Sequence, residues 1–120
     1  MRLGIALVAA ASVTAGLCPV EAATTTKYDG SWSVEVVTRQ GVCNTYKWRV
    51  EVGGGRITSV EDNMASALGG IDPHGRVAVT LTRGPAALSV HGALSEQSGA
   101  GNWVSQSLAC SGDWRAERRQ

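Results

Sequence analysis

Apolar and polar residues alternate with a period of two along most of this chain beyond residue 30. The clearest stretch is 45–52. Tyr46, Trp48, Val50 and Val52 fall on one face, and Lys47, Arg49 and Glu51 on the other. That is the signature of a strand with one packed side and one wet side. Residues 31–39 repeat it, with Trp32, Val34 and Val36 on one face against Ser33, Glu35 and Arg39, and Val37 as the exception. Further strands are predicted over 56–60 around Ile57, and over 66–71. Residues 76–83 carry Val77, Val79 and Leu81 on one face, and 86–94 carry Leu88, Val90 and Leu94. The last two strands are predicted over 101–107 with Trp103, and over 112–118 with Trp114 and Ala116.

Turn chemistry punctuates these runs. Gly53-Gly54-Gly55, Asp72-Pro73-His74-Gly75 and Gly84-Pro85 each suit a tight reversal. Glu61 to Ala65 reads as a loop, because Gly69-Gly70 cuts short any helix begun at Asn63. Ser95 to Ala100 reads as a polar, glycine-containing loop. Three Gly-x-Trp copies, at Gly30, Gly101 and Gly112, read as points where a turn hands over to a strand. Eight short strands with almost no helical periodicity predict an all-β antiparallel meander.

The cysteines turn the meander into a closed shape. Residues 1–22 read as an export signal: Arg2, an uncharged run of about 15 residues, then Val20-Glu21-Ala22 before a cut at Ala23. The run is short of the roughly 20 residues that span a bilayer. A lipid-modified cysteine wants a small residue before it, and Leu17 precedes Cys18. Beyond the cut stand Cys43 and Cys110, a pair expected to form a disulfide in an exported protein. In an up-and-down order, the link between the first two strands and the link between the last two lie at the same end. Cys43 is placed in one link and Cys110 in the other. A disulfide needs Cα atoms within about 7 Å. A flat sheet would hold them several strands apart, at about 4.8 Å each. The expected fold is therefore an eight-stranded antiparallel up-and-down barrel, with a tightly folded β-sandwich as the alternative. The expected organisation is a signal segment 1–22, an N-terminal segment 23–30, a barrel 31–118 and a tail 119–120.

Charge and motifs narrow the function. Removing Arg2 from the 11 basic residues and Glu21 from the 10 acidic ones leaves the net charge at +1. That is no footprint for nucleic acid. Arg115, Arg118 and Arg119 read as a solvated end. No second apolar run follows the signal, so no membrane span is expected after its removal. His74 and His91 stand alone without ligand spacing, and no metal or other cofactor is expected. There is no Gly-x-Ser-x-Gly elbow, and Gly53-Gly54-Gly55 lacks the Lys-Ser/Thr of a phosphate loop. No catalytic residue is assigned, and the chain is expected not to be an enzyme.

The four tryptophans are the candidate binding chemistry. Trp48 and Trp114 fall on packed faces and are assigned to the core. Trp32 and Trp103 are assigned to one barrel mouth, as the pair best placed to touch a ligand. Barrels of eight strands are either filled by side chains or hold one small molecule.

The stretch Asp29-Gly30-Ser31-Trp32-Ser33-Val34 with Cys43, and the tail Cys110-Ser111-Gly112-Asp113-Trp114-Arg115-Ala116-Glu117-Arg118, resemble small exported bacterial β proteins of unassigned function. The Gly-x-Trp opening also looks like avidin and lipocalin barrels, and like periplasmic inhibitors of proteases and lysozyme. The resemblance brings no established activity, and a rigid, cross-linked scaffold behind an export signal and without a catalytic constellation is expected to be a periplasmic or secreted binding module for a small ligand or an envelope partner. The alternative is an inhibitor of a protease or lysozyme, with an apolar projection at Gly84-Pro85, in the 61–66 loop or in a free segment 23–28.

Overall fold

A computed structural model describes residues 24–119. Residues 1–23, which include the expected signal segment and Cys18, lie outside the described residues, as does Gln120. Eight strands follow one another: β1 Gly30–Gln40, β2 Tyr46–Gly53, β3 Arg56–Val60, β4 Ser66–Ile71, β5 Arg76–Arg83, β6 Ala86–Leu94, β7 Ser98–Ser105 and β8 Cys110–Arg118. They close in sequence order into one antiparallel barrel, and the described residues contain no helix. The seam pairs β1 with β8 from Trp32 opposite Arg118 to Gln40 opposite Ser111. Closure pairs both terminal strands, and the weakest seam is β3–β4, joined at Arg56 opposite Gly70 alone. The Cys43–Cys110 disulfide forms across the end of that seam, with Cα atoms 6.2 Å apart. The barrel stands, and the sandwich alternative falls.

Alternation decides what enters the bore. Val50 and Val52 of β2, Val77 and Val79 of β5, and Trp114 and Ala116 of β8 are buried, while Lys47, Arg49, Ala78, Asp113, Arg115 and Glu117 are exposed. β3 departs from strict alternation. A bulge between the pairs Glu51–Ser59 and Val52–Ile57 takes up one extra residue. Both Ile57 and Val60 thereby reach the core, although they are three residues apart.

Two assignments at the end of the chain need correction. β7 starts at Ser98, not 101, so the loop before it shrinks to 95–97. Gly99, expected in that loop, is a strand residue, and neither it nor Gly101 has room for a side chain. A Cβ at Gly101 would collide with the His91 carbonyl and the Trp114 indole, and one at Gly99 with Leu94. Cys110 is the first residue of β8, opposite Ser105, and not part of the preceding link. The disulfide thus fastens the β1–β2 link to the start of a strand.

The Gly-x-Trp copies are also not all turn exits. Only Gly30 opens a strand. Gly101 and Gly112 lie inside β7 and β8, where Gly101 stands opposite Trp114 and Trp103 opposite Gly112. The Trp114 indole occupies the space that the missing side chain of Gly101 leaves, whereas at Gly112 the β1 backbone of Val37 and Arg39 leaves no room for a side chain. Trp103 Nε1 then reaches across Gly112 to the Val37 carbonyl at 3.1 Å, and Trp114 Nε1 reaches the His91 carbonyl at 2.9 Å.

Candidate functional site: the mouth at the disulfide end

The two ends of the barrel differ. At the end where the chain enters, the bore is plugged. Tyr28 and Trp32 are 2% and 1% exposed, and Trp32 donates its indole N–H to the Tyr28 carbonyl at 2.9 Å. Arg118 straps the plug down. Its guanidinium donates to the carbonyls of Asp29, Lys27 and Glu96 at 2.7, 2.8 and 2.7 Å, and lies 4.9 Å from the centre of the Trp32 ring. The Asp29 carboxylate accepts the Gly54 N–H at 2.8 Å. The described part of the N-terminal segment is therefore a tied-down stopper, not the free projection the sequence suggested. Nor is Arg118 a solvated residue. Arg115 pairs with Glu35 at 2.7 Å, and Arg119 donates to Ser33 Oγ at 2.7 Å.

At the opposite end lie the links 41–45, 61–65, 84–85 and 106–109, and the mouth there is open. A depression of about 310 Å³ is walled by Val36, Trp48, Met64, Leu81, Leu88, Trp103 and their neighbours. Five of its residues, Val36, Trp48, Leu81, Leu88 and Trp103, also line a cavity of about 70 Å³ inside the barrel. The inner cavity alone is less than half the size of the roughly 150 Å³ apolar cavity known to admit benzene. The mouth reaches the lower bound of small-molecule sites, about 300 Å³. Any ligand must therefore rest chiefly in the mouth, with only its tip in the bore.

Local sequence shapes this mouth. Glu61, Asp62 and Asn63 take left-handed φ values of 40°, 57° and 67°, which coils the β3–β4 link into one tight turn. The turn is held by the Met64 N–H donating to the Val60 carbonyl at 2.9 Å, and by the Glu61 carboxylate accepting the Arg49 N–H at 2.6 Å. It folds Met64 and Ala65 over the rim instead of projecting outward. Three non-glycine residues in that conformation each cost free energy that ordinary turns avoid. Opposite them, Tyr46 and Trp48 stack with ring centres 5.5 Å apart, and Tyr46 stands partly in solvent.

The tryptophans sort differently from their sequence assignment. Trp32 and Trp103 do not share a mouth. Trp32 belongs to the plug, and Trp103, 4% exposed, forms part of the floor of the open end. The reason is strand direction: Trp32 lies near the start of β1, whereas Trp103 lies near the end of β7, beside the Val37 carbonyl late in β1. Trp48, assigned to the core, is only half-buried and lines both the mouth and the inner cavity. Trp32, Trp103 and Trp114 each donate the indole N–H to a backbone carbonyl. Among the described residues, Trp48 Nε1 has no such acceptor. Alternation placed Trp48 on the inward face but could not show that this face ends at a rim.

The chain matches no family model, no curated protein and no solved structure.

A second concavity lies on the outer wall of β8, β1 and β2, and its chemistry is self-cancelling. Lys47, Arg49, Arg115 and Arg119 face Glu35, Glu61, Asp62 and Glu117 there. The hydrogen bond from Arg115 holds the Glu35 carboxyl below its ordinary range and raises the guanidinium in turn. Such a balanced, water-exposed ladder is what the polar face of a strand looks like. Among the described residues, no group of three His, Cys, Asp or Glu side chains could hold a metal ion.

Proposed function

We propose that this chain is an exported, non-enzymatic binding module that holds one small, mainly apolar molecule in the mouth at the disulfide end. The observation that carries the reading is the apolar mouth of about 310 Å³ at the disulfide end, which shares Val36, Trp48, Leu81, Leu88 and Trp103 with the bore. Apolar surface left open to water in this way gains free energy when a ligand covers it. The plug at the other end makes the site a cup, not a channel. The disulfide suits an oxidising compartment, the periplasm or the medium.

The test is native mass spectrometry on protein purified from its own host. The expected result is a bound small molecule that is released on denaturation. Protein that arrives empty, and whose tryptophan emission stays unchanged with a panel of small apolar compounds, would sink the reading.

A second reading, an inhibitor or partner of an envelope protein such as a protease or lysozyme, is favoured by Val42. This residue is 95% exposed on the link next to Cys43, and a loop held rigid by a disulfide loses little freedom when it docks on a protein surface. Capture of an envelope protein by the wild type and not by Val42→Asp would support it. Equal capture by both would remove it.

A further inference from the structure

We propose that the mouth takes a small monoanionic amphiphile, with its carboxylate on Arg83 and its apolar body against Trp48, Trp103 and Leu88. The proposal rests on the mouth being a ligand site and adds the chemical class of the ligand.

Arg83 closes β5, and it continues the inward row of Val77, Val79 and Leu81. The strand thus carries three aliphatic residues down the bore and then places a cation where that row meets the rim. No other side chain lining this mouth is charged at neutral pH. Tyr46 and Thr82 supply hydroxyls, and Cys43 is locked in the disulfide. The nearby carboxylates of Glu61 and Asp62 line the outer groove and not this mouth. Among the described residues, Arg83 forms no ion pair. Its one polar contact is Nη1 to the Met64 sulfur at 4.0 Å, and a thioether is a weak acceptor. Arg115, Arg118 and Arg119 differ in this respect, since each spends its donors on protein oxygens.

A guanidinium fork matches a carboxylate with two parallel hydrogen bonds. A single cation over an apolar wall selects one negative charge at one end of an otherwise apolar molecule. The volume of about 310 Å³ limits that molecule to a short chain or a single ring system.

The experiment uses the chain from Ala23 with its disulfide intact. Tryptophan emission is followed against decanoate and against decanol, both below their aggregation limits. Decanoate should bind about fivefold tighter, the margin of one ion pair on Arg83, which stands exposed at the rim. Arg83→Gln should bring decanoate to within about twofold of decanol, while leaving decanol binding and the melting temperature in place. Arg83→Lys should keep part of the preference. Equal affinities in the wild type, or a preference that survives Arg83→Gln, would overturn the assignment of the anion to Arg83. Failure of both probes to bind would instead overturn the reading of the mouth itself. Phosphatidylglycerol vesicles form the last arm. Salt-sensitive co-sedimentation without decanoate binding would assign Arg83 to a membrane surface and overturn the free-ligand proposal.

Discussion

Where the chain enters the barrel, Tyr28 and Trp32 fill the bore and Arg118 ties three backbone carbonyls across it. Where the disulfide sits, the same bore ends in Trp48, Leu81, Leu88 and Trp103 with nothing laid over them but the edge of a strained turn. Both ends use tryptophan. In the first, every indole hydrogen bond is satisfied inside the protein. In the second, one is left unspent. A small barrel has too thin a core to leave both ends unfilled. Concentrating packing and strapping at one end lets the other expose apolar surface. The covalent link at the open end offsets the contacts that its mouth lacks.

That contrast makes a ranked set of expectations. Replacing both Cys43 and Cys110 by Ala should cost about 4 kcal/mol, from the chain entropy released by a cross-link spanning 67 residues. Trp32→Ala should cost a similar amount, about 3–5 kcal/mol, because a fully buried indole leaves a cavity that its neighbours cannot fill. Urea or thermal unfolding monitored by circular dichroism measures both. If Trp32→Ala proved as mild as an exposed substitution, the closed end would not be the stability anchor.

Next in size is Arg118→Met, which keeps the stem over Trp32 but removes the strap. About 2 kcal/mol should be lost, and amide exchange at Tyr28 and Asp29 should accelerate ahead of the rest of the barrel. Trp48→Phe should cost less than about 1 kcal/mol, since it exchanges one half-buried ring for another. It should nonetheless weaken any ligand held at the mouth. Stability and binding would then separate between the two ends.

The smallest effect is pH dependence at the closed end. The Asp72 carboxylate accepts the backbone N–H groups of Arg76 and His74 at 2.9 and 2.8 Å, and the first of these bonds is the main reason its pKa falls below the ordinary aspartate value. A depressed folded pKa contributes stability above the unfolded value, and that contribution is lost as pH falls through the folded one. The acid limb of the stability profile should therefore be slightly shallower in Asp72→Asn, with no change at neutral pH in mouth binding. Melting temperatures from pH 2 to 7 check it.

Strand number, closure and the cross-link were legible because each follows from local pattern plus parity. Alternation marks a strand within a few residues, Asp72 and Gly75 mark their turn, and two cysteines at one end require the sheet to wrap. The site was less legible. Trp48 and Val50 alternate in the same way, yet one faces a rim and the other a packed bore, and only the stagger of neighbouring strands separates them. Arg83 looks like any strand-ending cation until Val77, Val79 and Leu81 are seen to point inward before it. Gly99 misled for a complementary reason. Its missing side chain makes room for Leu94 across the hairpin, a need that shows only once the two strands are paired.

The exchange between β7 and β8 has a bearing on assembly. With Gly101 facing Trp114 and Trp103 facing Gly112, sliding the hairpin by two positions one way sets indole against indole, and sliding it the other way leaves two bare backbones face to face. The first slip crowds two indoles and the second leaves a packing gap, so both favour the native register of the final hairpin. Because β8 is also the strand that docks onto β1, a correct last hairpin delivers the ring to its closing point already in phase.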